Sequence, residues 1–90
     1  MNFEWDSKKA VANRRKHGVT FEEASSALRD LSSATGHDPD HSEGEERFVT
    51  FGISSSGRLL TVSHTERGNA VRIISARIAT NIEKQIYEEG

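Results

Sequence analysis

The sequence has no cysteine, one proline and six aromatic residues among its 90 positions. Without cysteine, the chain can form neither a disulfide framework nor a thiolate nucleophile. No apolar run approaches the roughly 18 residues of a membrane span. The first residues, MNFEWDSKK, also lack the apolar stretch of a signal peptide. These absences predict a cytoplasmic protein that does not associate with membranes.

Large apolar residues are also scarce. Leu, Ile, Val and Phe make up 19 of the 90 residues, just above the roughly 20% below which chains tend to remain disordered. A chain of this length buries only about 60–65% of the surface that its unfolded form exposes. We therefore expect a single domain over residues 1–90 with a thin core, which a permanent partner would help to stabilise.

Charged residues are unevenly distributed along the chain. The formal net charge is −2, which by itself argues against a nucleic-acid-binding protein. However, the segment His37–Glu46, HDPDHSEGEE, carries five acidic residues and no lysine or arginine. The rest of the chain carries twelve basic residues against nine acidic ones. Most of the chain is therefore mildly basic, and such an asymmetry can steer a ligand or select a partner.

Hydrophobic periodicity and turn signals predict elements in the order β-α-α-(β)-β-β-β-α. The predicted elements are a strand over Phe3–Trp5, helices over Ser7–Lys16 and Phe21–Asp30, a weakly marked strand over Leu31–Thr35, strands over Arg47–Ile53, Arg58–His64 and Val71–Arg77, and a C-terminal helix that follows an N-cap at Thr80 and carries Ile82 and Ile86 on one line. This order is that of an α+β fold in which helices pack on one side of an antiparallel sheet.

The segment KHGVTFEEA, Lys16–Ala24, contains the end of one predicted helix and the start of the next. Gly18 suits the left-handed conformation that follows a helix end, and His17 suits the negative end of the helix dipole. Thr20 and Glu23 fit a capping box. A helix cap therefore explains His17, although an imidazole that titrates near neutral pH also suits general acid–base catalysis.

Arginines lie at the ends of the predicted strands. Pairing the last three strands through their turns places Arg58 opposite Arg77 at one end of the sheet and Arg47 opposite His64 at the other. A slip of one residue would change this register. Two guanidinium groups on neighbouring strands suit a phosphate, because each is planar, permanently charged and a forked donor. The alternative is that they pair with acidic residues at the rim of the sheet.

Other segments contain residues suited to binding a metal or a nucleic acid. The acidic segment holds five residues of metal-ligand type, whose spacing matches no standard site: His37, Asp38, Asp40, His41 and Glu43. The basic helix Lys8–Lys16 is either a solvated surface or a non-specific contact to RNA phosphates. A DNA-binding helix-turn-helix is excluded, because Glu22 and Glu23 would face the phosphates.

Three stretches of the chain carry the motifs of a known family. They are FEWDSKKAVANRRKHGVTFEEA (Phe3–Ala24), EERFVTFGISSSGRLLTV (Glu45–Val62) and RIISARIATNIEKQIYEEG (Arg72–Gly90). The most specific parts are the block W-D-x-x-K-x-x-x-N-x-x-K-H-G-V-[ST]-F-E-E-A, which begins at Trp5, and I-I-S-A-R, Ile73–Arg77. Together these stretches resemble the BrnT family, the ribonuclease toxins of type II toxin–antitoxin systems.

This resemblance implies a RelE-like fold, a twisted antiparallel sheet with two N-terminal helices and one C-terminal helix. It also implies RNA cleavage without a metal or any other cofactor. The partner would be a BrnA-type antitoxin, encoded beside the toxin, in a complex with two copies of each chain. DNA would be contacted only through the antitoxin. The acidic loop Asp38–Glu46 is where we expect divergence from relatives and contact with a basic stretch of the antitoxin.

The implied reaction uses the 2′-hydroxyl of RNA as the nucleophile. The protein must align this group, neutralise charge on the phosphorane and move two protons. The expected catalytic residues are Arg77, Arg58, Arg47 and His17, and the expected RNA-binding residues are Lys9, Lys16 and Tyr87. The alternative from another functional class is a non-catalytic RNA- or protein-binding module, a degenerate toxin that acts through the complex of antitoxin and repressor.

Overall fold

The computed structural model describes all 90 residues, and its elements follow the predicted α+β order. They are β1 (Asn2–Glu4), α1 (Ser7–His17), α2 (Phe21–Leu28), β2 (Ala34–Asp38), a short 3-10 helix (Pro39–His41), β3 (Arg47–Ile53), β4 (Leu59–Arg67), β5 (Ala70–Ile78) and α3 (Asn81–Glu89). No helix is both long enough and apolar enough to cross a membrane.

Side-chain caps fix where the helices begin and end. The Asp6 carboxylate accepts hydrogen bonds from two backbone N–H groups in the first turn of α1, at 2.8 and 3.2 Å. Gly18 ends α1 in the left-handed region with a φ of 69°. Thr80 and Glu83 form the capping box of α3. These contacts confirm the predicted caps, which satisfy backbone groups that have no partner within a helix.

The strand β2 begins at Ala34 rather than at Leu31 as predicted. Asp30 is the reason, because its carboxylate accepts hydrogen bonds at 2.9 Å both from an N–H group of the following turn and from the N–H of Ile53 on β3. Leu31 is fully exposed in this turn. The strand therefore starts later and extends into the acidic loop as far as Asp38.

The five strands form one sheet in the order β1-β5-β4-β3-β2. β1 pairs with β5 in parallel, with Phe3 opposite Val71, whereas all other neighbours are antiparallel. The parallel pair differs from the purely antiparallel sheet that was expected. The interior position of β5, between β1 and β4, agrees with its apolar residues on both faces, since a strand covered on both faces need not alternate with polar residues.

The turn between β3 and β4 is longer than predicted, so the register of this pair differs. Arg58 belongs to the turn, where its carbonyl oxygen accepts a hydrogen bond from the N–H of Ser54 at 2.8 Å. The prediction that Arg47 lies opposite His64 is therefore wrong, because Arg47 lies opposite Thr65. A shift of one residue moves every side chain of a strand to the other face of the sheet.

The pairing of β4 with β5 also differs from the prediction. Arg77 lies opposite Thr61 and not opposite Arg58. A β-bulge interrupts this pair and leaves Ile74 without an opposite residue on β4. Bulges bend a strand and change the direction of its side chains. The turn between the two strands is also shorter than predicted, since Arg67 pairs with Ala70 and His64 pairs with Ile73 rather than with Val71. This turn accounts for two residues of the difference in register, and the bulge accounts for a third.

The helices α1 and α2 pack on one face of the sheet, where the buried apolar side chains form a single cluster. Its members are Val19, Phe21, Ala24, Ala27, Leu60, Val62, Ile73 and Ala76. Thr61 and Arg77 alternate with these positions and therefore face away from the core. α3 lies on this second face, because Glu83 contacts both Thr61 and Arg77. The helices thus cover both faces and not only one.

β3 passes close beneath the end of α2 at Gly52. A Cβ atom added to Gly52 would overlap the carbonyl oxygen of Ala27 and lie 3.1 Å from its carbonyl carbon. In contrast, Gly36 on the edge strand β2 has no atom within 4 Å of an added Cβ. Gly52 therefore sets the distance between α2 and the sheet.

Candidate functional site

Three of the predicted site residues lie together beside the edge of β5. Lys9, Lys16 and His17 of α1 line a concavity of about 240 Å³ with Ile74 and Ser75 of β5. Residues seven and eight positions apart share one side of a helix, so the sequence itself places the three cationic or titratable groups on a common side. The concavity is open to solvent, and two ammonium groups and one imidazole line it beside β5.

Asn13 fixes α1 against this strand. Its buried side-chain amide donates hydrogen bonds to the carbonyl oxygens of Ala76 (2.8 Å) and Val19 (3.0 Å), and it accepts one from the N–H of Ala76 (3.0 Å). β1 pairs with β5 only as far as Arg72, so Asn13 occupies the free edge beyond it. The sequence interpretation gave Asn13 no role. Asn13 lies in the middle of a predicted helix, where asparagine is unfavourable, and this position could have indicated that its side chain has a partner elsewhere in the fold.

Arg77 lies on β5, two residues beyond Ser75 and on the same face of the sheet. Its guanidinium group donates two hydrogen bonds to the Glu83 carboxylate of α3, at 2.7 and 2.8 Å. These bonds, together with those from Thr80 and Thr61, lower the pKa of Glu83 to about 2. The Arg77 side chain is nevertheless 41% exposed, so part of the group remains open to a ligand.

Arg58 has a different environment from Arg77. Its guanidinium group binds the Glu23 carboxylate through both Nε and Nη2 and also donates to the carbonyl oxygen of Gly18 at 3.2 Å. The Glu23 carboxylate therefore does not complete the predicted capping box, although the Thr20 hydroxyl accepts from the Glu23 N–H at 3.0 Å. Arg58 joins the β3–β4 turn to the junction of α1 and α2, whereas Arg77 binds Glu83 of α3.

Arg47 and Tyr87 also lie outside the concavity. Arg47 lines a cavity of about 380 Å³ with Asp40, His41 and Glu43 of the acidic loop. Its Nε atom is buried without a hydrogen-bond partner. The Tyr87 hydroxyl donates to the Asp30 carboxylate at 2.6 Å, and this hydrogen bond raises the pKa of Tyr87. Tyr87 thereby anchors α3 to the turn after α2.

The candidate metal ligands of the acidic loop form local contacts with one another. His41 Nδ1 lies 2.8 Å from a carboxylate oxygen of Asp38, and the Ser42 hydroxyl lies 3.3 Å from Nε2 of His37. No group of three or more His, Asp or Glu side chains has an arrangement that could hold a metal ion. The loop is therefore organised by hydrogen bonds between its own side chains.

His64, which was predicted to lie at the end of the sheet beside Arg47, is buried in a polar chain instead. Its Nε2 atom lies 2.7 Å from the Thr50 hydroxyl, which in turn lies 2.7 Å from the Thr35 hydroxyl. Phe48 stacks on the imidazole ring. The Nδ1 atom is buried without a partner. Burial lowers the pKa of His64, and the nearby charge of Glu66 opposes this only in part.

We expect this histidine to make the fold less stable in mild acid. Since the folded state disfavours the charged imidazole, the unfolded state binds more protons, and stability falls as the pH decreases below about 6.5. One group contributes at most about 1.4 kcal/mol per pH unit. Urea unfolding between pH 7.5 and 5.5 should show a smaller decrease for His64→Gln than for the wild type, whereas the exposed control His37→Gln should follow the wild type. Parallel profiles for all three proteins would exclude this role.

Comparison with protein families gives the decisive observation. A family model described as "Ribonuclease toxin, BrnT, of type II toxin-antitoxin system" matches residues 5–83. The chain belongs to the BrnT family. The matched region includes the whole of α1, α2 and the sheet from β2 to β5. The chain is therefore a ribonuclease toxin of a type II toxin–antitoxin system, and an antitoxin is its partner.

A solved structure supports this assignment at the level of the fold. The crystal structure of the ribonuclease toxin BrnT from Brucella abortus, at 1.1 Å resolution, is similar with a TM-score of 0.65 and 24% sequence identity. The match covers 90% of this chain and 99% of that chain. A search of curated proteins found no match. The BrnT fold predicted from the sequence motifs is thus confirmed.

Proposed function

We propose that this BrnT-family toxin is a metal-independent endoribonuclease that cleaves RNA at the concavity between α1 and β5. The observation that carries the proposal is the convergence of Lys9, Lys16 and His17 beside Ser75, with Arg77 two residues further along the same strand. Two strand residues span about 7 Å. Because Arg77 projects from the face of the sheet that α3 covers, the proposed RNA path crosses the free edge of β5, from the ammonium groups and the imidazole of α1 to this guanidinium group.

The proposed reaction is an internal displacement at phosphorus. The 2′-oxygen forms a bond to phosphorus while the bond between phosphorus and the 5′-oxygen breaks, which gives a 2′,3′-cyclic phosphate and a 5′-hydroxyl end. One group accepts the proton of the 2′-hydroxyl and another supplies a proton to the 5′-oxygen. His17 is the group in the concavity suited to one of these transfers, because imidazole titrates near neutral pH.

The two non-bridging oxygens of the phosphorane carry negative charge that the protein has to neutralise. We assign this role to Arg77, whose side chain is partly exposed and which lies two residues along β5 from Ser75. Two hydrogen-bond donors of the Arg77 guanidinium group already bind Glu83. In this proposal the phosphate either binds the remaining donors of Arg77 or replaces Glu83 as their partner. Lys9 and Lys16 hold the flanking phosphates in this proposal.

The other predicted site residues receive different roles in the proposal. Arg58 forms an ion pair with Glu23 and donates a hydrogen bond to Gly18. These contacts support a structural role for Arg58 at the junction of α1 and α2. Acidic neighbours make Arg47 a poor phosphate ligand, because carboxylates repel phosphates. The Tyr87 contact with Asp30 supports a structural role for this residue as well.

The proposed partner is a BrnA-type antitoxin, encoded beside the toxin, which sequesters it in the cytoplasm in a complex with two copies of each chain. DNA would be contacted only through the antitoxin. The scarcity of buried apolar side chains supports a permanent partner, because the core cluster contains only eight residues and small domains are stabilised by association.

A second candidate function is a non-catalytic module that binds RNA or protein through the same fold. The carboxylate partners of Arg58 and Arg77 favour this alternative, because an arginine paired with Glu23 or Glu83 has fewer donors left for a phosphate. The two functions differ in their products. Cleaved RNA with 2′,3′-cyclic phosphate ends in excess EDTA supports the nuclease, whereas intact RNA in a stable complex supports the module.

We expect Lys16→Ala to weaken RNA binding several-fold at low salt. Loss of one phosphate contact should also lower the slope of log affinity against log salt by about 0.7, the value for a single strand. Lys84→Ala on α3 is the matched control, since Lys84 is exposed and lies outside the concavity. Fluorescence anisotropy with a labelled oligoribonucleotide measures both quantities. Equal slopes for wild type, Lys16→Ala and Lys84→Ala would remove Lys16 from the RNA path.

A further inference from the structure

The C-terminal helix α3 exposes apolar side chains instead of burying them. Ile82 is 71% exposed and Ile86 is 47% exposed, and none of the residues of α3 is buried. Their spacing of four places them on one side of the helix. Polar contacts hold α3 in place instead. Glu83 binds Arg77 of the sheet, and Tyr87 binds Asp30 of the turn after α2. The predicted line of isoleucines therefore has no partner within the chain.

Ile86 is one wall of a groove between α3 and the edge strand β2. Val49 and Phe51 of β3 form the floor of this groove, and Ala34 and Gly36 lie opposite them on β2. The volume of the groove is about 450 Å³. No strand pairs with the outer edge of β2. A strip of apolar surface thus runs from α3 to the edge of the sheet.

Acidic side chains lie at the other end of this groove. Asp38 lines the groove itself, and Asp40 and Glu43 line the adjoining cavity around Arg47. The loop has a defined shape, because the Ser42 hydroxyl binds the Asp38 carbonyl and accepts from the Arg47 N–H at 3.0 Å. The groove is therefore apolar near α3 and negatively charged near the loop.

We propose that this groove, which we call the α3–β2 groove, binds a basic amphipathic segment of the antitoxin. Apolar side chains of the segment would cover Ile86, Val49 and Phe51, and its lysines or arginines would lie beside Asp38 and the acidic loop. This inference rests on the proposed function, which supplies the antitoxin as partner. It adds the surface that the antitoxin uses and the chemistry of the segment that occupies it.

Charge complementarity selects this occupant over the alternatives. RNA and anionic lipids carry phosphates that the acidic loop repels. A second copy of this chain, related by a two-fold axis through the groove, would place the acidic loop of each copy against the apolar end of the other, because the axis reverses the direction of the groove, and this would bury charges without partners. A basic protein segment has neither difficulty, and opposite charges also accelerate its association.

The test measures binding of the fluorescently labelled product of the adjacent reading frame to the full chain. Ile86→Asp should lower the affinity at least about tenfold, because it places a charge in an apolar contact. Val11→Asp is the matched control, since Val11 is also an exposed apolar residue, 53% accessible, but lies on α1. Ile82→Asp should act as Ile86→Asp does, and it provides a second variant if the first fails to fold.

The acidic end of the groove is tested separately. Asp40→Asn combined with Glu43→Gln should weaken binding about threefold at low salt, and the difference should disappear at high salt because exposed charges are screened. Glu22→Gln combined with Glu66→Gln removes the same number of exposed charges elsewhere, and its affinity should remain that of the wild type.

The outcomes separate this proposal from the proposed function. Unchanged affinity of Ile86→Asp and Ile82→Asp, with tight binding by the wild type, overturns the groove as the docking surface but leaves the antitoxin as partner. Absence of binding by the wild type overturns the partner assignment itself. If sedimentation shows a wild-type dimer that Ile86→Asp dissociates, the groove is an interface between copies of this chain and the proposal is wrong.

Discussion

Arg77→Gln is expected to reduce RNA cleavage by at least about 100-fold, the effect of removing one donor to a developing oxyanion. Arg77 lies two residues along β5 from Ser75 of the α1–β5 concavity, and its side chain is 41% exposed. Glutamine keeps a polar side chain but is shorter and has no permanent charge to offer the phosphorane. Single-turnover cleavage of a labelled RNA measures the loss.

Glu83→Gln distinguishes catalysis from stability in this experiment. Both substitutions break the ion pair between Arg77 and Glu83, so both should lower the melting temperature in a similar way. Only Arg77→Gln removes the charge that the phosphate needs. We expect Glu83→Gln to retain cleavage or to increase it, because Arg77 then has more donors free. Equal losses of activity in both variants would make Arg77 a structural residue and refute its catalytic assignment.

Gly52→Ala is expected to lower the free energy of unfolding by about 3 kcal/mol, at the upper end of the usual range for overpacking. The added Cβ would overlap the backbone carbonyl oxygen of Ala27, and a backbone atom cannot move away as a flexible side chain can. Domains of this size have total stabilities of only about 5–13 kcal/mol. The substitution should therefore remove between about a quarter and about three fifths of the stability, and raise the unfolded population about 100-fold.

Gly36→Ala is the matched control for Gly52→Ala. Both glycines lie in neighbouring strands, neither has a positive φ, and the Cβ added at Gly36 meets no atom within 4 Å. Its free energy of unfolding should remain within about 0.5 kcal/mol of the wild type. Urea unfolding can be followed by the fluorescence of Trp5, which packs against the buried ring of Phe21. Equal stability of the two variants would contradict the close approach of α2 and β3.

Local signals in the sequence were sufficient to predict most of the elements. Helix caps depend only on residues a few positions away in the sequence. The predicted N-caps Asp6 and Thr80 and the predicted helix-ending Gly18 are therefore all confirmed. The bounds of β3, Arg47–Ile53, also follow from alternation within a single strand. Family motifs added what periodicity does not contain, the identity of the fold and its activity.

Relations between distant positions could not be predicted in the same way. The predicted register failed because Arg58 belongs to a turn, because the β4–β5 turn is short enough for Arg67 to pair with Ala70, and because Ile74 is an extra residue in a bulge. None of these features changes the hydrophobic pattern enough to be predicted from it. The carboxylate partner of Arg58, Glu23, lies 35 positions away. Lys9, Lys16 and His17 line one concavity because helical spacing places them on one side of α1, a grouping that the sequence interpretation did not state, and their roles stay a prediction.

The contact between Asn13 and Ala76 has a consequence for the synthesis of this toxin. The two residues lie 63 positions apart, and the parallel pair of β1 and β5 joins the N-terminal residue Asn2 to Ala70. Contacts so distant in sequence slow folding. On a ribosome that adds about 5–20 residues per second, the concavity cannot form until β5 has emerged. Since we propose that RNA is cleaved at this concavity, we expect the nascent toxin not to cleave RNA during most of its translation, which gives the antitoxin time to be present when folding is complete.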